Sequence, residues 1–448
     1  MKLKYTLAAA ALAMTTAANA QTWVNDTIYL GSSYANNVFY GLDSGTLKTQ
    51  AANDWDIAIR ANSYSVGVYA NHASNGVRVY PYTDASAAAK FGTDLTADTA
   101  GLILDSTALY NSIESWEAGA FNMDVDTSNA FDYGWGVYST TTHYITGDKI
   151  YFVLAGGTYY QLWIEQDQAT ASNAHWKFHV AKLDGTDSVT QEFDMFPTYS
   201  DRLFAYYSFS NQAFVDREPA TDSWDLLFGK YMKETAYGTS TIMYAYTGVL
   251  LNENRGVYKL TGTGVQGTAY DSASMTPLFD SVISTIGADW KGSYSTTTGL
   301  YTTKDTITYF VSTASRDIWQ LEFDYATLGS TPTGVEPGAM GFRKRKVYTY
   351  VAPEETGINN LNGLVNNIVV APNPAENGRT NLLVDAKQTL QNAQITVTDI
   401  SGRVVLHTTK TIPAGLQQIR IDLNQHPAGM YMVNLNGEGY EASLKVVK

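Results

Sequence analysis

Of the six histidines, the side chains best suited by type to hold a metal or move a proton near neutral pH, four precede residue 197, His72, His143, His175 and His179, and residues 197–352 contain none. His175 and His179 would converge on a helix, but Trp176-Lys-Phe-His-Val180 alternates like a strand. At that spacing they stand ~13 Å apart, too far for one ion. Cysteine is absent, which excludes disulfides, thiolate metal sites, iron–sulfur clusters and cysteine nucleophiles. Asp124-Val-Asp126-Thr-Ser128 starts like a calcium loop, yet Asn129 and Trp135 stand where such a loop needs Gly and Glu, so it reads as an acidic turn. No Gly-x-Ser-x-Gly elbow, His-Glu-x-x-His pair, Walker loop or dinucleotide glycine pattern occurs. Carboxylates are plentiful, but their spacing does not select two that would face each other ~5–9 Å apart across a cleft. A protein that is not an enzyme is expected.

The elements that must position these side chains are strands. Trp55, Ile57 and Ile59 share one face, Val66, Val68 and Ala70 another, and Trp319, Leu321 and Phe323 a third. Turn signals such as Asn75-Gly76, Asp184-Gly185 and Asn436-Gly437 separate them, and helical periodicity is confined to Asp84–Phe91 and Met275–Ser284. The fold class is all-β. Two tandem, mainly antiparallel β-domains followed by a small C-terminal β-sandwich are expected.

The tandem pair follows from comparing the chain with itself. Tyr138-Ser-Thr-Thr-Thr142 recurs as Tyr294-Ser-Thr-Thr-Thr298, and each is followed by Tyr-Phe-Val (Tyr151–Val153, Tyr309–Val311). Asp54-Trp55-Asp56-Ile57 corresponds to Ser223-Trp224-Asp225-Leu226, and Gly76-Val77 to Gly256-Val257. The offset of 169 residues between the Trp-Asp pairs means domain duplication, since propeller blades repeat every ~40–45 residues. The bland reading of each Trp-Asp pair is a core Trp beside an Asp that caps a hairpin. Residues 21–197 and 198–352 are the expected repeats, 353–368 a polar linker, and 369–448 the third domain.

At the N-terminus, Lys2 and Lys4 precede the apolar run Leu7–Met14, and Ala18-Asn19-Ala20 marks a cleavage point, so residues 1–20 read as a signal peptide. No segment is long and apolar enough for a span of ~20 residues, so no transmembrane segment is expected. Removing Lys2 and Lys4 takes the formal net charge from -14 to -16. Residues 369–448 carry 7 Lys/Arg against 6 Asp/Glu, so the acidity lies before them and disfavours nucleic acid and anionic lipid as partners.

Pro372-Asn-Pro374, Asp399–Gly402, Ala428-Gly-Met-Tyr431 and the final Lys448 occur in an order that closely resembles the type A C-terminal sorting domain of the type IX secretion system. The resemblance implies recognition by that machinery, passage through the periplasm to the outer cell surface, and attachment there to a surface polysaccharide. Each repeat resembles the HmuY family of haem-binding proteins, through Trp55-Asp56-Ile57-Ala58, Asn75-Gly76, Trp135 through Val153, and Tyr159-Tyr-Gln-Leu-Trp-Ile164. The second copy departs from the pattern, with Trp224-Asp225-Leu226-Leu227 and extra residues before Gly256. This resemblance implies haem, with His143 as the first candidate ligand, His72 as another, and Met123 and Tyr110 in the interval for a second axial ligand. The second copy has Gly299 at the His143 position. The rival expectation is a non-catalytic surface structural or adhesion protein that uses exposed Tyr and Trp for recognition.

Overall fold

The computed structural model describes residues 22–62, 65–82, 87–170, 173–330, 336–350, 363–400 and 402–448. The expected signal peptide and most of the expected linker lie outside them. The chain divides after Tyr350 into two units, and its strands pair antiparallel throughout. The all-β expectation is borne out.

In the larger unit the strands that build and close the body are β1 (Val24–Tyr29), β2 (Asn36–Gly41), β3 (Gly45–Ala51), β4 (Ile57–Arg60) and β5 (Val68–Ala70). Later in the chain come β6 (Phe204–Ser208), β7 (Ala213–Val215), β8 (Leu226–Tyr237), β9 (Ser240–Leu251) and β10 (Ala339–Tyr348). They form two four-stranded sheets, in the orders β7-β6-β4-β5 and β9-β8-β2-β3. Each packs on a seven-stranded sheet, one made by strands between Arg78 and Asp194 and the other by strands between Val257 and Tyr348 together with β1.

Neither sandwich is therefore one continuous repeat. The first consists of residues 57–215, whereas the second takes β1, β2 and β3 from the other end of the chain: β1 pairs with β10 from Val24↔Lys344 to Tyr29↔Ala339, and β2 pairs with β8. The first sandwich likewise takes β6 and β7, which follow the first repeat in sequence, through Phe204↔Arg60 to Tyr207↔Ile57. Each Trp-Asp hairpin is thus completed by the hairpin that precedes the other Trp-Asp.

Alternation along these strands feeds two cores at once. Ile57, Ile59, Ala205 and Tyr207 face the first seven-stranded sheet, while Ala58, Phe204 and Tyr206 face the opposite way. Val38, Tyr40, Leu226 and Phe228 face the second, with Phe39 and Leu227 turned the opposite way. These outward residues meet between the two four-stranded sheets with Trp116, Trp224 and Ile283, giving a stack of four sheets with three cores between its layers and a fourth, around Tyr80, Ile150 and Phe152, on the outer face of the first seven-stranded sheet. Trp55 departs from its expected face. It sits before β4, packs edge-on against Tyr206 at 5.1 Å, and belongs to the central core instead of the Ile57/Ile59 core.

Helices are single turns. Ala87–Lys90 falls inside the expected Asp84–Phe91 segment, whose start lies outside the described residues. The second expected helix does not extend over Met275–Ser284. The helix Ser272–Met275 ends there, Pro277 sits in a 3-10 turn, and Asp280 exchanges backbone hydrogen bonds of 2.8 and 3.0 Å with Val257.

The smaller unit is the expected sandwich. Three strands (365–376, 379–386, 415–422) and four others (390–399, 404–412, 430–437, 440–447) enclose a core that includes Leu382, Val384, Ile395, Val397, Val433 and Leu435.

Candidate functional site

The two Trp-Asp corners do the same structural job twice. Asp56 accepts from Phe209 N at 2.7 Å and from Asn75 Nδ2 at 2.7 Å, and its own N–H donates to Tyr207 O at 2.9 Å. Asp225 accepts from Leu42 N at 2.9 Å and Arg255 Nε at 2.7 Å, and its N–H donates to Tyr40 O at 2.9 Å. Each carboxylate therefore clamps the hairpin received from the other repeat. Asn71 and Asn252 add the same bridge: each donates to the carbonyl of its own Trp, at 2.9 and 2.6 Å, and to that of the residue three positions before it, Ala52 at 2.8 Å or Thr221 at 2.6 Å. The Asp cap was legible in the sequence, but the partner hairpin was not.

Buried charge gathers where the two sandwiches meet. Arg60 is 1% exposed, donates to Leu203 O at 2.9 Å, and pairs with Glu117 at 2.7 Å and Glu253 at 2.5 Å. Arg217 pairs with Asp54 at 3.0 Å and lies over the rings of Trp55 and Tyr206. Glu218 accepts from Leu203 N, Phe204 N and Tyr206 Oη; burial pushes its carboxyl up to about 7, against the pull of these donors. Sequence reasoning singled out none of these three residues, because their partners come from segments up to 193 positions away.

The four haem candidates do not form one site. His143 stands in an exposed turn at φ 62°, with Tyr138 Oη 2.8 Å from Nδ1. Met123 is half-exposed at the end of a short 3-10 turn. His72 and Tyr110 do come together, their ring centroids 5.0 Å apart, in the corner that follows β5. His72 is buried, and its Nδ1 lies 2.7 Å from Val77 O, so that nitrogen carries the proton. The cleft it lines, with Asn37, Trp55, Trp116 and Lys230 across the join of the two sandwiches, measures about 90 Å³. Pockets that take a drug-sized ligand measure ~300–1,000 Å³, so this one does not admit a macrocycle. Larger cavities of about 310 and 410 Å³ flank the 196–222 connector, but neither is lined by histidine or methionine. His143, His72, Met123 and Tyr110 thus fail to place two axial ligands across a shared pocket, and the residues present do not fit haem.

The remaining candidates behave as ordinary strand and turn residues. His175 and His179 lie on the strand Asn173–Lys182. The first pairs with Asp194 at 3.0 Å, and the second stacks on Trp163 with Nδ1 2.9 Å from Thr190 Oγ1. Asp126 caps a turn by accepting from Ser128 N and Oγ. Among the described residues no three His, Asp or Glu side chains are grouped to hold a metal.

Burial lowers His72 to about 4, well below its ordinary value of ~6.5. The unfolded chain then takes up the proton first as pH falls. Stability from this group is full above pH ~6.5 and is lost progressively down to pH ~4, amounting to about 3 kcal/mol. His72→Gln is expected to flatten that part of the stability–pH curve; chemical denaturation at stepped pH values checks it, and an unchanged curve would contradict it.

In the smaller unit the sequence motifs sit at strand ends and turns. Asn373 of Pro-Asn-Pro accepts from Val447 N at 3.0 Å and donates to Lys445 O at 2.8 Å. Lys448 exchanges backbone hydrogen bonds with Gly429, and its Nζ donates to Asn424 O at 3.2 Å and to His426 O. Tyr431 donates to Pro427 O at 2.6 Å, and Asp399 accepts from Arg403 N at 3.1 Å across the Gly402 turn.

The Secretion system C-terminal sorting domain family matches residues 369–448. Those residues are a type IX secretion sorting domain, recognised by that machinery, and they mark the chain for the cell surface or the outside. No curated protein matches the chain. Among solved structures, dimeric latent PorU from Porphyromonas gingivalis is similar over 68% of this chain and 26% of its own, with 13% identity and a TM-score of 0.17. A polysaccharide lyase is similar over 69% and 36%, with 9% identity and a TM-score of 0.14. The chain spans well under two thirds of either protein, and neither likeness bears on its fold or activity.

Proposed function

We propose that residues 22–350 are a non-catalytic structural or adhesive body carried to the cell surface by the sorting domain. The observation that carries this reading is how the buried carboxylates are used. Asp56, Asp225 and Glu218 accept from the donors described above, and Glu322 accepts from Arg343 at 2.6 Å, Gly267 N at 2.7 Å and Thr308 Oγ1 at 3.0 Å. Each is buried with both oxygens engaged by groups that hold the fold together, and a general base must stand within reach of substrate. Exposed aromatic side chains, including Tyr29, Phe131, Tyr237 and Tyr244, supply the contact surface that adhesion requires.

The HmuY-like reading makes the opposite prediction. Titration of the mature chain with ferric haem is expected to give no saturable shift of the Soret band, and His143→Ala is expected to leave the titration unchanged. A saturable, shifted band lost in His143→Ala would overturn the proposal in favour of haem binding.

A further inference from the structure

The Trp-Asp hairpins differ in length: Asn71 follows Asp56 by 15 positions, whereas Asn252 follows Asp225 by 27. The additional residues build an arm. β8 and β9 pair with each other from Leu226↔Leu251 to Tyr237↔Ser240, but β8 pairs with β2 only over Leu226–Phe228. Beyond that point the hairpin is a two-stranded ribbon, a form of marginal stability in water by itself.

The outer edge of this ribbon is open. From Val249 onward β9 is covered by the 283–287 loop, through Val249 N to Gly287 O at 3.0 Å and Leu251 N to Ile283 O at 2.8 Å. Lys291 Nζ closes the next position by donating to Thr247 O at 2.6 Å. Over Ser240–Tyr246 no strand among the described residues pairs with that edge. The segment Ser240-Thr-Ile-Met-Tyr-Ala-Tyr246 has no charge and no proline, the two features that commonly blunt an exposed edge. The register puts Tyr231, Tyr237, Ile242, Tyr244 and Tyr246 on one face, and Tyr237, Tyr244 and Ile242 are 71%, 54% and 40% exposed.

We propose that this edge pairs with the same edge of a second copy, antiparallel about a twofold axis, so that the two arms form one four-stranded sheet. Charge selects the occupant. The mature chain, at a formal net charge of -16, repels its own copy over most of its surface. An uncharged strand meets itself without opposing like charges, and a twofold contact closes at two copies. An anionic polymer would find no cation on Ser240–Tyr246, and Lys233, the cation opposite Tyr244, already lies 3.7 Å from Asp289. Pairing also joins the two exposed aromatic faces on the same side of the sheet.

Sedimentation velocity of the full mature chain tests this. A dimer is expected, strengthened by added salt because screening reduces the repulsion between bodies. Ile242→Lys together with Tyr244→Lys is expected to weaken it by about tenfold or more, with the thermal unfolding profile confirming that the variant is folded. Because the chain has no cysteine, Met243→Cys reports on the edge directly. Oxidation should yield a disulfide-linked dimer from Met243→Cys and none from Thr186→Cys on a distant turn. A monomer at every concentration overturns the proposal, as does a dimer indifferent to the lysines, growth beyond dimers, or equal cross-linking of the two cysteine variants.

Discussion

A chain that starts at Ala52, without β1–β3, is expected to leave the second sandwich unfolded while the first still folds. Ile28, Leu30, Val38, Tyr40 and Leu42 are each no more than 1% exposed and lie in the core built by Leu226, Phe228, Val249, Leu321 and Phe342. Full burial of a large apolar side chain stabilises by ~1.5–3 kcal/mol, so these five contribute about 7–15 kcal/mol. That equals the whole stability of a typical domain, ~5–15 kcal/mol. Polar groups would be orphaned as well: Asp225 loses Leu42 N, and Lys344 Nζ loses Leu42 O, which it binds at 2.7 Å. An unpaired buried charge adds a cost of several kcal/mol. The first sandwich keeps every strand of its own sheets, since β4 to β7 and the strands between Arg78 and Asp194 all lie after Ala52. Limited proteolysis is expected to degrade residues 226–348 of the shortened chain and spare 57–215. A peptide of residues 22–51 added in trans should restore protection. A shortened chain as resistant as the intact one would show that the N-terminal strands do not close the second sandwich.

The same closure explains what the sequence could and could not reveal. Alternation marked the strands, and the recurrence of Trp-Asp marked the two corners that do the same structural job, because both are local in sequence. Which hairpin pairs with which was hidden. The partners of Asp56 and Asp225 are Phe209 and Leu42, 153 and 183 positions away, and neither residue type announces an acceptor for its N–H. Arg60 and Arg217 were invisible for the same reason, with Glu253 and Asp54 lying 193 and 163 positions away; the partners of Glu218 lie within 15 positions, but two of them are backbone N–H groups that no residue type announces. His143 drew attention by type and position, yet it occupies an exposed turn next to Tyr138. His72 had an equal claim by type, and its surroundings make it a buried neutral core histidine. The sorting domain was the most legible part, since its motifs are short and include local turns: Tyr431 acts on Pro427 and Asp399 on Arg403, each four positions away.

Removing that domain is expected to have the largest effect on the protein's fate. The body up to Tyr350 and the unit from Val351 are separate compact units, and the body's cores draw on residues 28 to 342 alone. A chain ending at Tyr350 should therefore keep the body's unfolding transition while losing the address carried by residues 369–448. The decisive measurement is protease shaving of intact cells of a type IX-competent Gram-negative host that express either the full chain or the chain ending at Tyr350. The full chain is expected at the surface or in the medium, with the shortened chain folded and retained inside the outer membrane. Equal delivery of both chains to the outside would contradict the central claim that this protein is a self-contained body exported by its C-terminal sandwich.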